Sequence, residues 1–116
     1  MGGVALTAGQ IVWCDLEPSV GREQGGRRPC VVISSTDFSD VIDELIVIVP
    51  CTSRERGWLS RIPLTGPTGL ARPTFAITEQ PRTMSAGRVH GLAGYVDSEC
   101  LAEISRWVSV WLHRAA

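Results

Sequence analysis

The residues best suited to chemistry lie in one short stretch, Gly21-Arg22-Glu23-Gln24-Gly25-Gly26-Arg27-Arg28-Pro29-Cys30-Val31. Three arginines surround one carboxylate, and three glycines punctuate them. Gly25-Gly26 lets the backbone take positive φ and approach a ligand closely. Pro29 fixes its own φ and biases Arg28 to an extended conformation. Arg28 is thus held stiffly where a loop meets a strand, a common place for functional side chains. A guanidinium presented there grips a phosphate through paired N–H bonds. The stretch also reads as a solvated hairpin loop with ordinary surface charge, and the residues alone leave both readings open.

Other reactive groups point less clearly. Cys14, Cys30, Cys51 and Cys100 contain no C-x-x-C pair, so a zinc site is not expected, and no metal or cofactor is called for. Buried free thiols in a reducing compartment account for them, and Cys30 is the one thiol close to the arginines. His90 lies among glycines and reads as structural; His113 sits near the C-terminus. The net charge is −1, so no basic excess announces a nucleic-acid partner. All eleven basic residues are arginine. That suits planar phosphate contacts, and codon bias explains it equally simply.

The elements that must position these residues follow from periodicity. Gln10–Leu16 reads as a strand ended by Glu17-Pro18, and 28–34 as a second. Ser35 to Glu44 reads as a polar connection with a helical turn. Leu45–Val49 is apolar on both faces, which predicts a central strand closed by Pro50. Short strands follow at 60–64, at an edge because of Pro63, at 74–78 and at 88–96, with one helical turn between Pro81 and Ala86. Asp97 or Ser98 caps a C-terminal helix whose Leu101, Ile104, Val108, Trp111 and Leu112 recur at helical spacing. Trp13, Trp107 and Trp111 read as core or subunit contacts.

With 116 residues the chain suits a single domain, 1–116, with 1–8 frayed. No apolar run reaches membrane-spanning length, and the N-terminus lacks the features of a signal peptide, so a cytoplasmic protein is expected. The fold class is mainly β with a C-terminal helix (α+β): a strongly bent antiparallel sheet, barrel-like, with the helix packed on it.

Three ordered motifs carry a resemblance. Trp13…Asp15-Leu16-Glu17-Pro18 with Gly21-Arg22-Glu23-Gln24-Gly25…Arg28-Pro29 resembles the start of the MazF/PemK family of toxin endoribonucleases. Val49-Pro50-Cys51-Thr52-Ser53 and Glu79-Gln80-Pro81-Arg82-Thr83 continue it, so that the similarity spans roughly 9–112. It implies an SH3-like barrel forming a homodimer. It implies sequence-specific, metal-independent cleavage of single-stranded RNA to 2′,3′-cyclic phosphate and 5′-hydroxyl ends. It also implies a cognate antitoxin, whose extended C-terminal segment fills the groove at the dimer interface.

In such a reaction the 2′-hydroxyl attacks the adjacent phosphorus, a base takes its proton, an acid serves the leaving oxygen, and a cation steadies the phosphate charge. Arg28 matches the family's essential arginine and Thr52 its essential threonine. Thr52 also reads as a strand-end residue bonding its own backbone. Glu23 matches the carboxylate of the Gly-x-Glu-Gln motif. Glu79 stands where the family usually has Asp, which one branch uses as base; that branch has His where this chain has Arg22. The base is therefore either Glu23 or Glu79, and both also read as salt-bridge partners of Arg22, Arg27 or Arg82.

Arg22, Gln24, Arg27, Gln80 and Arg82 read as RNA-binding residues, and Trp58 as an exposed ring able to stack on a base or to anchor its loop. The segments 35–44 and 53–60 are expected to set specificity. Two other readings stand beside this one. A toxin of similar fold acts on DNA gyrase through its C-terminal helix, and a plain SH3-like module uses its arginine loop to hold a peptide.

Overall fold

The β-rich runs of the sequence pair edge to edge in the computed structural model, which describes residues 6–23, 25–42 and 44–113. The expectations for residues 1–5, Gln24 and Arg114 lie outside the described residues. The strands are β1 Gln10–Asp15, β2 Arg27–Val32, β3 Leu45–Thr52, β4 Arg61–Pro63, β5 Phe75–Ile77, β6 Arg82–Ser85 and β7 Val89–Tyr95. The helices are α1 Thr36–Val41 and α2 Ser98–His113, and a 3-10 turn spans Ala86–Arg88. The strands form one antiparallel sheet in the order β4-β5-β3-β2-β1-β7, with β6 beside the first half of β3.

The sheet is not closed into a barrel: no ladder joins β4 to β7 among the described residues. Single backbone bonds span that gap instead. Tyr95 N–H donates to the Pro67 carbonyl and Asp97 N–H to the Thr65 carbonyl, each at 2.9 Å. Leu6 packs on the core, and Thr7 N–H donates to Gln10 Oε1 at 2.7 Å, so this part of the segment expected to fray is tied down.

Two expectations are corrected here. Pro50 does not close β3, which runs on to Thr52. Pro50 lies between the last β6 partner, Ile48↔Arg82, and the first β5 partner, Cys51↔Ala76. On the other side Cys30↔Pro50 is the last pair of the β2–β3 ladder, so the residue without an N–H sits where β3 changes neighbours. The second correction concerns 82–85, which is strand β6 and not a helical turn. Met84 alternates into the core while Thr83 and Ser85 stay exposed, and the backbone completes the ladder on β3.

Both faces of the sheet are buried near its centre. Ile11, Val31, Val49, Cys51 and Ala76 pack with Cys100, Ile104 and Val108 of α2. Val12, Cys14, Leu16, Cys30, Val32, Ile46, Ile48 and Met84 form the core on the opposite face. Full burial of each such aliphatic chain contributes about 1.5–3 kcal/mol. Asp97 starts α2, its Oδ1 accepting from Cys100 N–H at 2.8 Å. Ser35 caps α1 through Phe38 N–H.

Candidate active site

The β1–β2 loop is built around its neck. Leu16 N–H donates to the Gly26 carbonyl at 2.9 Å, and Gly26 N–H donates to Glu17 Oε1, also at 2.9 Å. Gly26 takes φ +75°, which a side chain would strain, and a Cβ at Gly25 would run into the Glu17 carboxylate. Later elements tie the loop from outside. Arg82 Nη1 donates to the Leu16 carbonyl (3.2 Å), Arg88 Nη1 to the Glu17 carbonyl (2.9 Å) and Gln80 Nε2 to the Arg22 carbonyl (3.3 Å).

Arg28 and Thr52 line one concave pocket of about 620 Å³. Its walls are the loop end Gly25–Pro29, the end of β3 through Ser53, Trp13 of β1, and the β4–β5 connection with Leu70 and Arg72. Arg28 Nε donates to the Gly25 carbonyl at 2.9 Å, which fixes the plane of the guanidinium and leaves both Nη groups for an anion. Thr52 Oγ1 accepts from Arg54 N–H at 3.1 Å. The expected backbone bond is therefore real, and it leaves the hydroxyl proton free to donate. Arg27, Arg28 and Arg72 all line this pocket, and among the described residues no carboxylate does. A near-neutral chain thus carries a locally positive cradle.

The remaining expected residues divide differently. Glu23, Glu79, Gln80 and Arg82 meet in a second hollow of about 390 Å³ beside Pro50. This hollow adjoins the first along β3, Pro50 lining one and Cys51–Ser53 the other. Glu23 Oε1 accepts from Val20 N–H at 2.6 Å and so shapes its own loop. Glu79 is ion-paired, but not with Arg22, Arg27 or Arg82: its partner is Arg61, Nη2 to Oε2 at 2.8 Å. Arg61 sits under Trp58, its Cζ 4.7 Å from the ring centroid, with Arg56 at 5.5 Å. Trp58 is half exposed and lines neither hollow. Arg22 is exposed.

Trp13 and Arg72 were not found by sequence reasoning. Trp13 was read as a core or subunit contact; it is 38% exposed, which excludes the core, and it lines the main pocket. It shares a face with buried Ile11, so phase alone does not separate them; α2 covers only the first. Arg72 arrives on a turn-rich connection with no periodicity to reveal it. Trp111 Nε1 donates to Thr78 Oγ1 at 3.1 Å, anchoring α2 to the sheet. Cys30 is unsuited to nucleophilic work: the hydrogen bond with Cys14, then burial, push its thiol far above the usual range. Burial does the same to Cys51. Among the described residues no three His, Cys, Asp or Glu gather as a metal site, and no helix is long and apolar enough to cross a membrane.

Known proteins resemble this chain in sequence and fold. The sequence profile of the PemK-like, MazF-like toxins of type II toxin–antitoxin systems matches residues 7–112. The endoribonuclease toxin MazF of Escherichia coli strain K12 is 30% identical over 77 residues, a match covering 66% of either chain. The chain thus spans just under two thirds of the length of the curated relatives it matches. Among solved structures, MazF of Deinococcus radiodurans superposes with a TM-score of 0.83 at 27% identity, covering 95% of this chain and 98% of that one. A MazE–MazF structure from the same organism gives 0.78 at 26% identity, covering 97% and 100%.

Proposed function

This chain belongs to the PemK-like, MazF-like toxins of type II toxin–antitoxin systems, and from that premise we propose that it is an endoribonuclease that cleaves single-stranded RNA without a metal. The observation that carries the reading is the shared pocket of Arg28 and Thr52. The RNA 2′-hydroxyl attacks the neighbouring phosphorus as the bond to the 5′-oxygen breaks, leaving a 2′,3′-cyclic phosphate and a 5′-hydroxyl. The two Nη groups of Arg28 meet the growing charge on the phosphate oxygens, and the Thr52 hydroxyl donates to one of them. A guanidinium stays protonated, so it serves as a charge and hydrogen-bond donor rather than as the base. Glu23 takes the base role: it rides the loop that also holds Gly25, the acceptor for Arg28. The departing 5′-oxygen takes its proton from solvent water as the proton removed from the 2′-hydroxyl rests on Glu23.

Trp13 offers an aromatic plane beside the phosphate cradle, and bases splayed from a single strand stack on such planes. We further propose a homodimer, with an acidic and apolar antitoxin segment laid over the arginine-lined groove. MazE–MazF structures from Deinococcus radiodurans support an antitoxin partner. The test is incubation of purified protein with a long RNA in EDTA, followed by primer-extension mapping. Site-specific cuts with 5′-hydroxyl ends are expected. Intact RNA, or unchanged cleavage by Thr52→Ala, rejects the proposal.

A further inference from the structure

Arg61 is an expensive residue to keep. Its side chain is only 6% exposed, it has one carboxylate partner, and its buried Nε has no hydrogen-bond partner among the described residues. A well-packed apolar side chain is generally at least as stabilising as a buried ion pair, so retention of the pair asks for another reason. The geometry around it supplies one. Trp58 lies over the guanidinium at 4.7 Å and shields it from water. The guanidinium fixes Glu79 Oε2 at 2.8 Å, while the Glu79 side chain keeps 30% of its surface exposed in the second hollow. An aromatic ring, a buried cation and a half-open carboxylate are thus locked in series.

We infer that the hollow lined by Glu79 and Arg82 is a nucleobase subsite that selects guanine, with Arg61 and Trp58 as positioning residues. The inference rests on the single-stranded RNA reading of the neighbouring pocket. A carboxylate paired with a permanent cation only accepts hydrogen bonds. Guanine alone among the RNA bases sets two N–H donors side by side on its Watson–Crick edge, N1–H and the 2-amino group, and both oxygens of Glu79 receive them. Arg82 spends Nη1 on the Leu16 carbonyl at 3.2 Å and keeps Nη2 for the guanine O6. The hollow adjoins the phosphate cradle along β3, so a base seated there belongs to the strand whose phosphate Arg28 holds.

The test is fluorescence anisotropy with labelled single-stranded oligothymidylates carrying one central guanine, one central hypoxanthine or neither. Hypoxanthine lacks only the 2-amino group. The wild-type protein is expected to prefer guanine over hypoxanthine by about tenfold. Arg61→Met and Glu79→Gln are each expected to bring that ratio within about twofold while leaving affinity for the all-thymine strand nearly unchanged, which a general loss of structure would not do. Should Arg61→Met fail to fold, Glu79→Gln, at a partly exposed site, carries the test alone. Equal binding of guanine and hypoxanthine by wild type, or an unaltered preference in Glu79→Gln, overturns the inference. The probes lack a 2′-hydroxyl, so binding is read apart from cleavage. Guanine-dependent binding with intact RNA sinks the nuclease reading alone, and cleavage without that dependence sinks the subsite alone.

Discussion

Replacing Arg28 by lysine separates charge from geometry. Lysine keeps the positive charge but has no Nε to donate to the Gly25 carbonyl, so the 2.9 Å bond that orients the guanidinium is lost. Its ammonium is a point charge that does not span two phosphate oxygens in parallel. Loss of one hydrogen bond to a charged group costs about 1.5–3 kcal/mol. In the transition state that amounts to roughly tenfold to hundredfold in kcat/KM. Arg28→Ala also removes the charge and is expected to lose about a thousandfold. The assay is initial-rate cleavage of a labelled single-site RNA in EDTA, with urea denaturation to confirm that the variants stay folded. Arg28 is half-buried at the mouth of the pocket, so both substitutions should leave stability close to wild type. Equal rates for wild type and Arg28→Lys refute the reasoning: any nearby positive charge would then suffice, and the clamp on Gly25 would have no catalytic meaning.

Other expectations follow from the same coordinates. Glu79→Ala strands the 6%-exposed Arg61 without its carboxylate and should cost ~2 kcal/mol in urea denaturation, below the cost of breaking a fully buried pair because Glu79 is 30% exposed. Ile104→Ala empties a fully buried position between α2 and the sheet and should cost about 3 kcal/mol, read as an earlier urea midpoint with an unchanged slope. Acidification should loosen α2. Asp97 accepts from Cys100 N–H and then from Thr65, which holds its carboxyl below the ordinary value near 3.8. A depressed carboxyl contributes stability above its unfolded pKa and loses it as the pH falls through the folded one. Far-UV circular dichroism between pH 5 and pH 2 should therefore show a helix-weakening component that Asp97→Asn abolishes.

Much of this architecture was legible because most of the strands announce themselves in composition. Gln10–Asp15 and Leu45–Val49 lie in strands as read, and Ile104 and Val108 of the α2 stripe are buried, whereas Trp111 and Leu112 at its end stay exposed. The failures share a cause. Pro50 reads as a stop only if every strand N–H is needed, and β3 changes neighbours at that residue. Arg82–Ser85 is short and polar, and only its neighbour on β3 makes it a strand. Arg72 and Trp13 join the pocket through a long connection and a change of cover along one face. Neither feature exists below the level of tertiary structure.

Charge shows the same limit. A net of −1 argues against a nucleic-acid partner, yet the fold sorts the charges that this sum merges. Arg27, Arg28 and Arg72 converge on one hollow with no lining carboxylate among the described residues, while Glu23 and Glu79 are turned into the next. Field at a site depends on distance and dielectric, not on totals, so a neutral chain can present a phosphate cradle and an acceptor pocket side by side. The two carboxylates that the sequence left as alternative candidates for the base have different partners. Glu23 accepts from a backbone N–H of its own loop at 2.6 Å. Glu79 is held by a buried guanidinium under an indole, a contact that resists exchange. The roles proposed above match this difference: a proton acceptor is served by an exposed carboxylate on a loop, and a group that recognises a shape by one fixed on a buried cation.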